Sequence, residues 1–339
     1  MLRWALVMGG ILGASASPTA AQTPMRLGVD ALSASKAIAQ GMPVSYGSMW
    51  AGSWNQRWGW DGIRSQLAAA KASGVTPVIQ WWYWGDDISP SCVEQGCWDA
   101  RQGVQKDKVT WARMSKELAD LVVDTVGPNS GAVIIVETEF NKNGIESYEA
   151  FDGYLVDHAG IFHNRNLSVV IGFGSWGQSL WRNFDRAAAA ADMLGTMVLQ
   201  SSVRDSSTYL AGPDLLISSA HELRTMFGKP VFVTDFGFSS YPEPSYAAHQ
   251  DTVIKMIFAR MPELKAAGVQ GMVWRMLSDD PTFDTSNYHG MAERSFGLLR
   301  ADGTLKPGFT SFVNGMLAET APLGPPPAPP TNLRVVASS

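Results

Sequence analysis

The chain has 339 residues, of which 45% are hydrophobic and 17% are charged, and its formal net charge is −5. This composition is typical of a globular protein, and the lack of any basic run argues against a nucleic-acid-binding protein. Beyond its amino terminus the chain has no apolar run long enough to span a bilayer, so we expect no membrane partner. A weakly charged, mildly acidic surface suits a neutral ligand.

Both ends of the chain have the composition of segments outside a folded domain. Residues 1–22 combine an early arginine, an apolar run and closing small residues, which predicts a signal peptide and a secreted protein, extracellular or periplasmic. Residues 321–330 are rich in proline, which predicts a stiff linker. Residues 331–339 look like the start of a truncated fibronectin type III-like module. One folded domain is therefore expected over 23–320.

Eight short apolar runs, most of them continuous and β-branched, predict strands that are buried on both faces, as in parallel sheets. Helical patterns lie between these runs, for example at 60–72 and 110–126. Such alternation predicts an α/β fold, a single-domain (β/α)8 TIM barrel. The alternative, a Rossmann-like sheet, needs a glycine-rich phosphate loop after the first strand, and no such loop follows Asp30. The predicted strands are 26–30, 44–50, 76–81, 132–137, 168–173, 196–201, 230–235 and 270–275.

Cys92 and Cys97 are the two cysteines of the chain. In a secreted protein, such a closely spaced pair predicts one structural disulfide, here in the long connection after the third strand. A metal site would need more ligands, and no histidine lies close to the pair in sequence. We therefore expect neither a metal nor a cofactor.

The carboxyl ends of the predicted strands, where TIM barrels carry their reactive groups, are rich in carboxylates and tryptophans. They offer no Ser-His-Asp set and no histidine cluster. Glycoside hydrolysis needs one carboxyl group to donate a proton and a second to attack the sugar or activate water. Indole faces stack on the apolar faces of sugar rings. The predicted sugar platform consists of Trp81, Trp84, Trp176 and Trp274.

Two glutamates follow the predicted fourth strand, and the strand period of two puts both of them on the inward face. Glu139 is nearer the mouth of the barrel and is expected to reach a ligand. Glu137 is deeper and is expected to support the site, paired with Arg275 or Arg204. Asp235 ends the seventh strand and supplies the second working carboxylate. The two arginines are also candidates for holding a carboxylate or an anionic sugar.

The segment 136–144, VETEFNKNG, resembles the strand-4 signature of glycoside hydrolase family 26, a family of clan A barrels. This resemblance implies that Glu139 is the general acid/base and that Asn141 is a sugar-binding neighbour. The segment 229–237, KPVFVTDFG, resembles the strand-7 segment of the same clan, which implies that Asp235 is the nucleophile.

Two further segments, 74–84 and 296–312, resemble the third strand and the closing stretch of such barrels. The chain also departs from the family pattern. Thr138 stands where the family has His, and Asp235 stands where it has Glu.

Together these features predict a secreted, monomeric, endo-acting glycoside hydrolase whose partner is a polysaccharide or oligosaccharide. Glu139 is expected to have a raised pKa and Asp235 to stay ionised, because this split gives the two carboxyls different roles. The resemblance to the clan favours retention of the anomeric configuration. Two alternatives stay open. One is a transglycosylase, and the other is a non-catalytic carbohydrate-binding barrel or a component of exopolysaccharide machinery.

Overall fold

The computed structural model describes residues 24–320. The predicted signal peptide, linker and fibronectin-like segment lie outside the described residues. Within them, eight parallel strands close a barrel and two further strands form an antiparallel hairpin. The strands are β1 (Arg26–Asp30), β2 (Tyr46–Gly52), β3 (Thr76–Trp82), β4 (Cys97–Asp99), β5 (Val104–Lys106), β6 (Val133–Val136), β7 (Ser168–Gly172), β8 (Met193–Gln200), β9 (Val231–Phe238) and β10 (Val269–Trp274).

Helices follow most barrel strands and pack on the outside of the barrel. None of the helices in the described part of the chain is long and apolar enough to cross a membrane. The helices are α1 (Ala34–Ala39), α2 (Asn55–Trp58), α3 (Asp61–Ala72), α4 (Pro90–Gln95), α5 (Lys108–Val126), α6 (Ala150–His163), α7 (Asp185–Ala190), α8 (Gly212–Phe227), α9 (Ser245–Ala259), α10 (Met261–Ala266) and α11 (Pro307–Thr320).

Around the barrel the strand order is β1, β2, β3, β6, β7, β8, β9 and β10, which pairs again with β1. These are the eight predicted strands, so the predicted TIM barrel is confirmed. The β4–β5 hairpin was not predicted from the sequence. The predicted fourth strand, 132–137, is one residue too long at each end. At its carboxyl end β6 stops at Val136, because Glu137 takes a positive φ of 52°.

The lower interior of the barrel is filled by apolar side chains from six of its strands. Tyr46 and Phe232 meet edge to face with ring centroids 5.3 Å apart. Gly271 makes this possible, because a β-carbon there would lie 2.7 Å from both rings. The interior cluster comprises Tyr46, Val78, Val133, Ile135, Val170, Phe232 and Val273.

A polar layer lies above this apolar cluster. The Gln80 side chain reaches across the barrel and donates to the Thr234 carbonyl at 2.9 Å. The Thr138 hydroxyl donates to Gln80 Oε1 at 2.7 Å. All three residues are buried, and these bonds satisfy polar groups that would otherwise be costly to bury. The layer separates the apolar floor from the ends of the strands, where the charged residues lie.

The predicted disulfide between Cys92 and Cys97 is present and joins α4 to β4. Ser89 caps α4 by accepting a hydrogen bond from the Cys92 backbone N–H at 3.2 Å. The hairpin that follows is anchored by Lys106, whose buried ammonium lies 2.7 Å from an Asp99 carboxylate oxygen. The connection after β3 is therefore held in one conformation by a disulfide, a helix cap and a buried ion pair.

Gly271→Ala tests how tightly the barrel interior is packed. We expect the added methyl group to displace Tyr46 or Phe232 and to lower the free energy of unfolding by about 1–3 kcal/mol. The matched control is Gly160→Ala, because Gly160 lies within α6 and a β-carbon there would meet no atom within 4 Å. That control should raise stability by roughly 0.5–1 kcal/mol. Denaturant unfolding measures both, and equal effects would contradict the tight packing at Gly271.

Candidate active site

Asp235 points into the barrel because β9 contains a bulge. Val233 pairs with Thr196 of β8, but the next residue of β8, Met197, pairs with Asp235, so β9 has one extra residue there. The pairing with β10 shifts at the same place. Strict alternation from the inward Phe232 would send Asp235 outward with Val233. The extra residue of the bulge exchanges the inward and outward positions that follow it, so the Asp235 side chain points inward.

Arg275 holds the Asp235 carboxylate from the end of β10. Its guanidinium donates to Asp235 Oδ2 at 2.9 Å and to Glu293 Oε2 at 3.1 Å. Glu293 lies in a short 3-10 helix, Gly290–Ser295, and its other oxygen accepts from the His289 backbone N–H at 3.3 Å. One arginine is thus shared by two buried carboxylates. The expected pairing of Arg275 with Glu137 is wrong, because Arg275 pairs with Asp235 and Glu293.

Burial raises the pKa of Asp235 to about 6, and the positive charge of Arg275 opposes this shift. The charges of Glu139 and Glu293 raise it further, so these carboxyls lie within electrostatic reach of one another. Asp235 Oδ1 is buried and has no hydrogen-bond partner among the described residues. Buried polar atoms are rarely left unpaired, which singles out this oxygen as the atom available to a ligand.

The chain leaves β6 through two strained residues. Glu137 and Glu139 both have a φ of 52°, in the left-handed region that is unfavourable for residues with a side chain. Such conformations cluster at functional sites, where the surrounding structure holds them. The expectation that Glu137 and Glu139 share one inward face is therefore wrong. Both residues lie beyond the end of β6, where side chains no longer alternate between two faces.

Glu137 is turned towards the loop that follows β3. Its carboxyl accepts from the backbone N–H of Tyr83 at 2.9 Å and from that of Trp84 at 3.3 Å. Burial raises the pKa of Glu137 to about 8, and the two amide donors act against this shift. Glu137 therefore fixes the start of the loop rather than pairing with an arginine.

Glu139 faces the mouth of the barrel, and its side chain is 19% exposed. The Lys142 ammonium lies 3.5 Å from Glu139 Oε1 and 2.6 Å from Asp86 Oδ1. Burial raises the pKa of Glu139, Lys142 and Arg275 lower it, and Asp86 raises it. The raised pKa agrees in direction with the sequence prediction. Glu139 is more accessible than Asp235, whose side chain is 1% exposed.

Three of the four predicted platform tryptophans are buried, which corrects that part of the sequence prediction. Trp81, Trp84 and Trp274 each have 0% exposure. Trp81 follows the inward-facing Gln80, and Trp274 follows the inward-facing Val273. Both indoles therefore point outward and pack between the strands and the helices. The Trp81 indole donates to Ser115 of α5 at 2.8 Å, and the Trp274 indole donates to the Phe296 carbonyl at 3.0 Å.

Trp82 is the member of the β3 tryptophan group that turns towards the mouth, because it is in phase with the inward Gln80. It packs edge to face on Trp50, with ring centroids 5.5 Å apart. The Lys142 ammonium lies 5.2 Å from its ring centroid. Trp82 therefore lies beside Glu139, and the alternation of the strand was the signal that could have selected it.

Trp176 is the predicted platform residue that is exposed, at 40%. Asn141 holds its loop: the Asn141 side chain donates to the Trp176 carbonyl at 2.6 Å and accepts from the Gly174 N–H at 2.5 Å. The Trp176 indole in turn donates to the Asn141 carbonyl at 3.0 Å. Asn141 is buried and its amide is fully engaged, so it positions Trp176 instead of pointing at a ligand.

Arg204 lies at the rim of the barrel after β8. It donates to the Tyr288 carbonyl at 2.8 Å, and its guanidinium lies 4.8 Å from the centroid of the Tyr288 ring. His289 follows and bonds Ser201 at 3.0 Å. Burial lowers the pKa of His289 to about 4, and the charges of Arg275 and Arg204 add to this shift. The described residues contain no group of three side chains able to hold a metal ion.

The chain matches no protein-family model, and no curated protein matches it in sequence. Solved structures do match. An exo-β-1,4-mannosidase from Opitutaceae bacterium strain TAV5 has a TM-score of 0.64 and 17% identity, over 85% of this chain and 55% of that one. A GH5_18 protein from Bifidobacterium longum subsp. longum, in complex with Manβ1-4GlcNAc, has a TM-score of 0.62 and 14% identity, over 87% and 78%. An endo-β-1,4-mannanase from Thermotoga petrophila has a TM-score of 0.60 and 11% identity, over 88% and 78%.

At these identities the likeness establishes the fold. The chain spans about 55% of the length of the mannosidase that it matches. The resemblance to family 26 stays a prediction, since the solved structures named above include one of GH5_18 and none named for family 26.

Glu137→Gln should make stability less dependent on pH. The folded-state pKa of Glu137 is about 8, above its ordinary value of 4.5. Its contribution to stability is therefore fully present below about 4.5 and is lost as the pH rises through about 8. An amide mimics the protonated form at every pH. Denaturant unfolding at several pH values should show a flatter profile than in the wild type or in the exposed control Glu149→Gln. An unchanged profile would mean that folded Glu137 holds no proton near neutral pH.

Proposed function

We propose that the chain is a secreted, monomeric glycoside hydrolase that cleaves β-1,4-linked hexosyl chains at internal bonds. Glu139 is the general acid/base and Asp235 is the nucleophile. The observation that carries this proposal is the pair of carboxyls of Glu139, in the loop after β6, and Asp235, within β9. Both carboxyls feel the charge of Arg275, but Glu139 is partly exposed and Asp235 is buried. No cofactor takes part.

The solved structures support the reaction class, because their names include an exo-β-1,4-mannosidase and an endo-β-1,4-mannanase on the same barrel. They also support the resemblance to clan A, and they are the reason for choosing β-1,4-linked hexosides as substrates. The half-buried Trp82 ends β3 and the exposed Trp176 lies in the loop after β7. These two strands flank β6, after which Glu139 lies, and this arrangement supports binding of sugar units on both sides of the cleaved bond.

The proposed reaction uses the two carboxyls in opposite protonation states. Asp235 Oδ1 attacks the anomeric carbon, the bond to the glycosidic oxygen breaks, and Glu139 gives its proton to that oxygen. Glu139 then takes a proton from water, which attacks the anomeric carbon and releases Asp235. Asp235 must be ionised, so activity should rise as the pH passes about 6. Glu139 must be protonated, so activity should fall again at higher pH.

Glu139→Gln should abolish most of the hydrolysis, because general acid catalysis contributes roughly 10²–10⁴-fold. Release of reducing ends from β-1,4-mannan, β-1,4-galactan, xylan and β-glucan measures the reaction. Glu137→Gln is the matched control and should keep most of the turnover, since Glu137 bonds only to backbone amides. A deeper loss in Glu137→Gln than in Glu139→Gln would reverse the two roles.

The first product should keep the anomeric configuration of the substrate, because Asp235 attacks the sugar directly. The bulge in β9 moves the shorter Asp side chain inward and supports this outcome. Proton NMR of the product formed in the first minutes of reaction identifies its anomer. An inverted anomer would make Asp235 a general base that activates water, while the glycosidase proposal would stand.

A non-catalytic carbohydrate-binding barrel is the second candidate. The observation that favours it is the complete burial of Asp235, whose second oxygen is tied to Arg275. This candidate predicts binding of an oligosaccharide without release of reducing ends or formation of longer products. Longer products at high oligosaccharide concentration would instead indicate transglycosylation.

A further inference from the structure

A cavity of about 360 Å³ lies beside the candidate active site, between the ends of β2 and β3 and the β4–β5 hairpin. Three tryptophans line it, namely Trp54, Trp82 and Trp98. Trp54 and Trp82 are half-buried and Trp98 is 63% exposed. Indoles that converge on one cavity while remaining accessible are typical of a binding site. An indole is more stable when it is buried in the core, so an accessible group of them indicates a ligand.

Trp54 belongs to a Gly-Ser-Trp turn that occurs twice in the chain. Gly52-Ser53-Trp54 begins at the last residue of β2, and Gly174-Ser175-Trp176 follows β7. In both turns the indole folds back over the glycine, where a β-carbon would overlap with the ring. In both turns an asparagine side chain accepts from the glycine N–H: Asn55 at 3.0 Å and Asn141 at 2.5 Å.

The two turns lie on either side of Glu139. In the barrel order β2, β3, β6, β7, the Trp54 turn follows β2 and the Trp176 turn follows β7, while Glu139 follows β6. Two platforms of the same local design thus flank the proposed acid/base. Strand alternation does not predict such turns, because both lie at the edge of the barrel mouth or beyond it.

The backbone of Trp98 is anchored, although its ring is exposed. It pairs with Gln105 across the hairpin, and the Gln105 carbonyl accepts from the Gln56 side chain at 2.9 Å. The neighbouring Cys97 is bonded to Cys92. A hairpin whose backbone is ordered before binding loses less entropy when a ligand arrives.

The charged side chains that line the cavity are paired, either with another lining residue or with a residue outside the cavity. Lys106 is buried and lies 2.7 Å from Asp99, and Arg101 pairs with Asp284. Asp86 lies 2.6 Å from Lys142. No cation lining the cavity is without a carboxylate partner among the described residues, so an acidic polymer would gain little there. A neutral ligand with apolar faces and many hydroxyl groups matches this surface.

Lys142 connects the cavity to the active site. Its ammonium lies 3.5 Å from Glu139 and 5.2 Å from the centroid of Trp82, which lines the cavity. A chain whose scissile bond lies at Glu139 would therefore extend directly over Trp82 into the cavity.

We infer that the cavity formed by Trp54, Trp82 and Trp98 is a second binding site for neutral β-1,4-linked hexosyl units of the substrate, leading away from the cleaved bond. This inference rests on the proposed function and deepens it. Trp176 holds the chain on the other side of Glu139, and the two sites together select long chains over short ones.

The test compares long and short ligands in Trp98→Ala and Trp54→Ala. In a Glu139→Gln background, calorimetric titration with β-1,4-mannohexaose and β-1,4-mannobiose measures binding without hydrolysis. The hexaose should bind roughly tenfold more weakly to each variant, the usual loss for one central aromatic contact, and the biose should be unaffected. Trp98→Tyr should recover part of the loss, because it keeps an aromatic face.

The matched control is Trp58→Ala. Trp58 is 66% exposed, against 63% for Trp98, and it does not line the cavity. Its removal should leave hexaose binding unchanged. Thermal unfolding of each variant checks that the fold is kept. Equal hexaose affinity in Trp98→Ala, Trp54→Ala and Trp58→Ala would overturn the inference, and so would a lack of hexaose binding to the Glu139→Gln protein.

Failure of the second site and failure of the proposed function give different results. Hydrolysis of mannan with unchanged length preference in Trp98→Ala and Trp54→Ala would remove the site and keep the function. Alternatively, hexaose binding could depend on Trp54 and Trp98 while the protein releases no reducing ends from any of the four polysaccharides. That result would support the second site and contradict the proposed function.

Discussion

The closure of eight parallel strands into one barrel directs half of their side chains at a common axis, where space and polarity have to be arranged in layers. Tyr46 and Phe232 fill the floor because Gly271 leaves room for both rings. Gln80 and Thr234 form the polar layer above them. Charged groups can then enter only at the carboxyl ends of the strands, and this constraint brings the residues after β6 and those of β9 and β10 together.

Desolvation dominates the electrostatics of the site that results. Burial raises the pKa of both Glu139 and Asp235, and Arg275 opposes it for each of them. Arg275 can do this because Glu293 holds the other side of its guanidinium. The loop after β10 therefore contributes to the pKa of a residue on β9. Similarly, Lys142 lies between the carboxylates of Glu139 and Asp86. The two carboxyls differ mainly in access, since Glu139 reaches the mouth and Asp235 does not.

The tryptophans of the chain serve two purposes that their sequence positions do not distinguish. Trp81 and Trp274 face outward from the barrel and pack under α5 and α11, where their indoles complete the layer between strands and helices. Trp54, Trp98 and Trp176 remain accessible because glycine turns, asparagine clamps or a disulfide-anchored hairpin hold them at the surface. The accessible set depends on loops, and the buried set depends on the phase of the strands.

The sequence by itself determined the eight strands, the barrel and the Cys92–Cys97 disulfide, because continuous apolar runs and close cysteine spacing are local signals. It also drew attention to Glu139 and Asp235 as residues near strand ends. Only the tertiary structure decided where these side chains point. The bulge that turns Asp235 inward and the left-handed residues that separate Glu137 from Glu139 depend on hydrogen bonds with neighbouring strands and loops. Hydrophobic periodicity reports the average burial of a segment. It does not show where a single bulge or left-handed residue changes which side chains face inward.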